Sequence, residues 1–160
     1  MSPTIASTRT VDRDELLAFL QPRHRGLLAT TRRDGRPQLS PVTCGLDLEG
    51  RIGVATYPDR AKAHNARHDR RVSICVQSDD WNGEYVQVDG RAEVLDMPEA
   101  LDALVEYYRG IAGEHPDWDE YRAAMRLQDK SLIRITIERW SPIATGGFPA
   151  DVAARLEARG

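Results

Sequence analysis

Residues 84–96 read EYVQVDGRAEVLD. Val86, Val88, Ala92 and Val94 fall on one face of an extended chain, and Tyr85, Gln87, Asp89, Arg91 and Glu93 on the other. Successive side chains of a strand point to opposite faces, so the pattern predicts one long, half-buried strand. Such a strand leaves backbone groups unpaired along its edges until neighbours cover them. The other β-rich runs are GLLATTR, PQLSPVTCGLDL, RIGVATY, RVSICVQS and SLIRITIERWSPIAT, the last with Ile133, Ile135 and Ile137 on one face. Asp34-Gly35 sits between the first two runs as a hairpin turn, and Glu49-Gly50 turns the second into the third. These three form an antiparallel meander.

Helices punctuate the strands. Asp12 with Glu15 three residues on has the form of a capping box, followed by Leu16, Leu17, Phe19 and Leu20, which predicts a helix over 12–21. Others are expected at 59–69, from Pro98 onward with Leu101, Leu104, Val105 and Tyr108 at helical spacing, at 117–128, and from Pro149 to the end. The expected fold is mainly β (α+β): a six-stranded antiparallel split β-barrel with flanking helices, one domain over 1–160, with 1–10 and 149–160 as tails. Strands this long in a chain of 160 residues need closure or a partner to cover their edges, so a homodimer is expected.

Composition excludes several classes. The net charge of −3 gives no electrostatic case for nucleic acid. No apolar run reaches the roughly 18 residues of a membrane span, and MSPTIASTRT has no signal-peptide core, so a cytoplasmic protein with no membrane partner is expected. Cys44 and Cys75 lie in strand-like runs without metal spacing and read as buried free thiols. His24, His64, His68 and His115 do not cluster with carboxylates, and no G-x-S-x-G elbow, Walker loop or G-x-G-x-x-G after a strand is present. The acidic group Glu114, Asp117, Asp119 and Glu120 opens a helix, where it suits the helix dipole. No catalytic acid, base, nucleophile or metal set stands out, so an enzyme of this sequence would take its chemistry from a cofactor.

One stretch points to an anion. Residues 57–68 read YPDRAKAHNARH, and Lys62 is one of only two lysines beside 20 arginines. Arg60 and Lys62 place two cations in the first turn of the expected helix. Helix dipoles favour cations at the other end, so local stability does not explain the pair. A phosphate docked on the free N–H groups of that turn would. The alternative is a solvated basic helix, since Arg67, Arg70 and Arg71 follow closely.

Three stretches carry a family resemblance: LLATTRRDGRPQLSPV, PDRAKAHNARHDRRVSICV and YRGIAGEHPDWDEYRAAM. With the order hairpin, strand, R-x-K helix, strand, Trp-bearing loop and long strand, they resemble the pyridoxamine 5′-phosphate oxidase-like superfamily of FMN-binding split barrels. Within it they resemble the actinobacterial branch that uses coenzyme F420, a deazaflavin with a phosphate and an oligoglutamate tail. The resemblance implies that Arg60 and Lys62 hold the cofactor phosphate with Ala61 backbone, and that Asn65 is a motif position on the helix. It implies that Gln38, Ser40 and Val42 line the deazaflavin ring, that Thr56 leads into the phosphate helix, and that Trp81 and Tyr85 reach across a dimer interface. A site for the tail implies further positive charge, with Arg36 and Arg67 as candidates. The implied function is transfer of hydride from reduced F420 to an unsaturated small molecule: a quinone, an enone or a biliverdin-like tetrapyrrole. FMN chemistry on the same barrel, or binding of flavin, deazaflavin or haem without catalysis, are the alternatives. The chain departs from the oxidases proper at ERWSPIATGGFP, where they carry an Arg-bearing motif, and at Pro41, where relatives can present a polar side chain.

Overall fold

The computed structural model describes residues 2–160. The meander forms as the sequence requires: β2 (Arg25–Thr31), β3 (Pro37–Leu46) and β4 (Ile52–Thr56) follow one another. The β2–β3 turn closes by Arg32 N–H donating to the Arg36 carbonyl at 2.9 Å, and Gly35 takes φ 87°, a left-handed conformation that glycine adopts without cost. β5 (Arg71–Gln77) then pairs back onto β2, and β6 (Tyr85–Leu95) onto β5. β7 (Ser131–Trp140) bonds both β4 and β6, which closes a six-stranded antiparallel barrel in the order β6-β5-β2-β3-β4-β7.

The alternation in β6 is borne out. Val86, Val88 and Ala92 are fully buried, while Gln87, Arg91 and Glu93 face outward. They join Leu28, Val54, Ile74, Val76, Ile133 and Ile135 in one barrel core. Each such side chain contributes roughly 1.5–3 kcal/mol by leaving water.

The structure corrects three boundaries. The run 131–145 is two strands, β7 and the short β8 (Ile143–Thr145), because Pro142 cannot continue a ladder. β8 pairs with β1 (Ser7–Arg9), a strand inside the expected N-terminal tail. Its polar sequence, Ser-Thr-Arg, carries no alternation that would reveal it. The third helix, α3 (Ala100–Ala112), starts two residues after Pro98.

The first helix, α1 (Arg13–Leu20), has the Asp12 half of its capping box: the Asp12 carboxylate accepts from Glu15 N–H at 2.9 Å. It adds Leu16, Phe19 and Leu20 to the barrel core where β2 begins. The second, α2 (Ala61–His68), lies where β2 ends. Helices α3 and α4 (Trp118–Leu127) build a smaller core outside the barrel, where Leu104, Val105 and Tyr121 pack on Leu132. Tyr108, His115, Trp118 and Tyr121 interlock there with ring centroids 5.1–5.7 Å apart. A terminal helix, α5 (Ala150–Glu157), ends the fold.

The barrel is not sealed evenly. β3 runs from Pro37 to Leu46, yet it pairs with β4 only where Cys44–Leu46 meets Ile52–Val54. Along residues 37–43 its second edge is open, and α3 covers only the upper end, where Tyr107 Oη donates to the Thr43 carbonyl at 2.9 Å. The seam between the open edge of β3 and the end of β4 leads directly to the start of α2.

Candidate functional site

An eight-residue helix with little apolar surface does not form alone, and α2 has no side-chain N-cap. Tertiary contacts hold it. Ala63 and Ala66 are buried against the barrel. Asn65 Nδ2 donates to Thr30 Oγ1 at 3.1 Å, and Thr30 Oγ1 donates to Gln38 Oε1 at 3.1 Å, which ties helix, β2 and β3 into one chain of hydrogen bonds. Arg67 donates to the Pro58 carbonyl at 2.9 Å and, through one nitrogen, to both carboxylate oxygens of Asp96 at 2.9 and 3.0 Å. Asp96 also takes the Ser131 hydroxyl, which fixes the start of β7 to the same post.

The first turn is left bare. Ala63 and His64 N–H both donate to the Arg60 carbonyl, whereas the N–H groups of Ala61 and Lys62 have no acceptor among the described residues. Arg60 and Lys62 are in no ion pair there either, although the chain carries 25 Asp and Glu. Burial, and then the neighbouring Arg60 guanidinium, hold the Lys62 ammonium below the ordinary lysine range. Two unpaired cations and two free N–H groups converge on one helix start, an arrangement whose electrostatics an anion would relieve. A cleft of about 410 Å³ lined by Arg33, His64, Asn65, Arg67 and His68 opens alongside.

The expected site residues fall in two groups. Gln38, Ser40, Val42, Thr56, Arg60, Ala61, Lys62 and Asn65 lie along the seam and the helix that ends it. Gln38, Ser40 and Val42 stand opposite Thr30, Leu28 and Gly26, so their side chains share the inner face of the barrel. Val42 packs on the core, and the Ser40 hydroxyl is buried without a partner. Thr56 is buried at the end of β4, opposite Ser131. Trp81 and Tyr85 are not brought to this group by the same chain. β5 starts beside α2 and runs seven residues, roughly 23 Å, before the turn that carries Trp81. Trp81 is 84% exposed and Tyr85 41%.

Other expectations sort out as follows. Both thiols are free, and burial raises that of Cys44 to about 12. Arg67, expected to be spare, is consumed by Asp96, and Arg36 lies beside Asp34 in the hairpin turn. Arg70 is not idle: its Nε donates to the Ala92 carbonyl at 3.0 Å. Thr30, Tyr57 and Tyr107 escaped sequence reading, since each acts through a partner more than eight residues away or on another element. No metal-binding group of three or more ligands occurs among the described residues, and no helix is long and apolar enough to cross a membrane.

The sequence profile of pyridoxamine 5′-phosphate oxidase matches residues 12–144, which include all six barrel strands. The chain belongs to that family. Among curated proteins, this pyridoxamine phosphate oxidase-like chain is 29% identical over 137 residues to the F420H(2)-dependent biliverdin reductase of Mycobacterium tuberculosis, covering 84% of this chain and 90% of the relative. Among solved structures it resembles a conserved hypothetical protein of M. tuberculosis, with a TM-score of 0.69 and 26% identity over 84% of this chain and 85% of the other. A structure named F420 reductase aligns at a TM-score of 0.58 and 22% identity, over 78% and 94% of the two chains. That last likeness speaks for the fold alone. The family supports an oxidoreductase.

Proposed function

We propose that the protein is an F420-dependent reductase. The observation that carries this reading is the bare first turn of α2, with Arg60, Lys62 and two free N–H groups at the end of an open barrel seam. The mycobacterial biliverdin reductase relative favours F420 over FMN as the ligand of that turn. Bound there, reduced F420 would supply a hydride from C5 of its deazaflavin. The residues present fit it. Arg60 offers a planar fork and Lys62 a point charge to the phosphate, with the Ala61 and Lys62 N–H groups beneath. The open edge of β3 from Pro37 to Val42 would flank the ring, and the Ser40 hydroxyl on that strand is buried without a partner. Asn65 and Thr30 keep the helix start in register with β3. Water is the proposed proton donor. The substrate class is an unsaturated small molecule, a quinone, enone or biliverdin-like tetrapyrrole.

The working unit is a homodimer. The outer face of β2, β3, β5 and β6 presents Leu27, Ala29, Leu39, Pro41 and Cys75, with Leu39 62% exposed, and Trp81 and Tyr85 stand at its rim. A second copy on this face would cover the apolar surface and bring its Trp81 and Tyr85 to the seam.

The second reading is FMN on the same cradle, which the match to the oxidase family favours. Fluorescence titration separates the two. The proposal expects F420 to bind at least ten-fold tighter than FMN, and the protein to oxidise reduced F420 in the presence of an acceptor from the panel above. Tight yellow FMN in the purified protein, or F420 binding no stronger than FMN, overturns it. Binding of F420 without turnover of any acceptor would reduce the protein to a carrier.

A further inference from the structure

The chain's second lysine shares an aromatic ring with Arg60. Lys130, in the turn between α4 and β7, sets its Nζ 4.2 Å from the centroid of the Tyr57 ring. Arg60 lays its guanidinium carbon 5.7 Å from the same centroid. Tyr57 itself is steadied by its hydroxyl donating to Gln128 Oε1 at 3.3 Å, in the loop that precedes Lys130. Like charges drawn onto one ring repel, and the ring face offsets only part of that. Neither cation has a carboxylate partner among the described residues, while most arginines elsewhere are ion-paired. Asp129, the nearest acid in sequence, is in no ion pair with Lys130, and Asp96 is held by Arg67 and Ser131.

We infer that Lys130 is a ligand-binding residue. Across Tyr57 from Arg60, it reads negative charge on the ligand beyond the phosphate held by Arg60 and Lys62. This rests on the reading of α2 as the phosphate site and extends it. The chemical class it selects is a phosphodiester-linked oligocarboxylate, such as the tail of F420, over a ligand that ends at its phosphate, as FMN does. Lys130 takes the role expected of Arg67, which the fold has committed to Asp96. It lies outside the R-x-K motif, 68 positions beyond Lys62 in the chain, so only the folded chain brings it to the Tyr57 ring beside Arg60.

The test uses the full-length protein and three probes: F420 with its oligoglutamate tail, the same deazaflavin trimmed back to the phosphate, and FMN. Dissociation constants are measured by fluorescence at two salt concentrations for the parent, Lys130→Met, Lys130→Arg and Lys62→Met. Lys130→Met is expected to weaken tailed F420 about ten-fold and to leave the other two ligands within two-fold, with a flatter salt dependence for tailed F420 only. Lys130→Arg is expected to restore most of the loss. Equal weakening of all three ligands by Lys130→Met, or no weakening of any, overturns the inference. Lys62→Met separates this from the parent reading. If Lys62→Met weakens all three while Lys130→Met weakens none, Lys130 alone is misassigned. If Lys62→Met weakens none, the phosphate site is misassigned and the inference falls with it. Thermal melting of each variant without ligand shows that the folded state is intact.

Discussion

At the residue scale, Lys62 is expected to couple binding to stability with opposite signs. Its ammonium is disfavoured in the folded, ligand-free protein, first by burial and then by Arg60. A lysine whose folded pKa lies below its unfolded value costs stability at neutral pH. That cost is relieved as pH rises through the depressed folded value toward the ordinary lysine range. Lys62→Met removes the charge and keeps most of the stem. Ligand-free protein at pH 7 is therefore expected to melt at the parent temperature or slightly above. Affinity for a phosphate-bearing cofactor should drop ten- to a hundred-fold, the equivalent of about 1.5–3 kcal/mol for one charge-assisted hydrogen bond. Arg126→Met, which removes a cation from the last turn of α4, should change neither cofactor titration nor the site. If it weakens binding as much as Lys62→Met does, overall charge rather than a defined cradle is responsible.

At the scale of elements, the site depends on α2 and α3 holding the two sides of the barrel seam. The Asn65–Thr30–Gln38 chain fixes α2. Asn65→Ala leaves Thr30 without a donor in a buried setting, and an unfolding free energy lower by about 1 kcal/mol is expected in urea titration, with faster amide exchange in α2. Exchange unchanged in α2 would show that Ala63 and Ala66 packing suffices. On the other side, Gly110 lets α3 press directly on β3: a Cβ there would sit 2.3 Å from the Leu46 carbonyl oxygen. Gly110→Ala must push the helix away and is expected to cost about 1–3 kcal/mol. It should also loosen the Tyr107 bond to Thr43 that closes the upper end of the seam. Tyr107→Phe isolates that bond. A smaller loss of stability than in Gly110→Ala, with cofactor affinity reduced in both, is the pattern a seam-closing role requires.

At the scale of the whole molecule, one chain leaves the site half-built if Trp81 and Tyr85 belong to it, since β5 carries them away from α2. A dimer interface on the outer face of β2, β3, β5 and β6 on the order of 2,000 Å² in total is expected. Leu39→Asp puts a charge on that face without touching the barrel core. Light scattering at micromolar concentration should report a dimer for the parent and a shift to monomer for Leu39→Asp, with cofactor binding lost in parallel. A parent protein that is monomeric at that concentration and still binds its cofactor would remove Trp81 and Tyr85 from the site.

What the sequence determined by itself was local. Alternation set the strands, because one face of each had to meet the barrel core. Asp34-Gly35 set the first hairpin, Asp12 with Glu15 set the start of α1, and Arg60 with Lys62 marked the start of α2. The interruption at Pro142 and the strand β1 were less legible, since short polar strands owe their existence to an edge that offers itself. Tertiary structure alone decided which cations are free. Nothing in the local sequence tells which of Arg67 and Lys130 is paired, yet Asp96, just past the end of β6, pairs with Arg67, and no carboxylate pairs with Lys130 among the described residues. It also decided that β3 parts from β4 below Cys44, which leaves residues 37–43 unpaired on that side. Contacts between residues this far apart depend on how the barrel closes, and no local pattern encodes them.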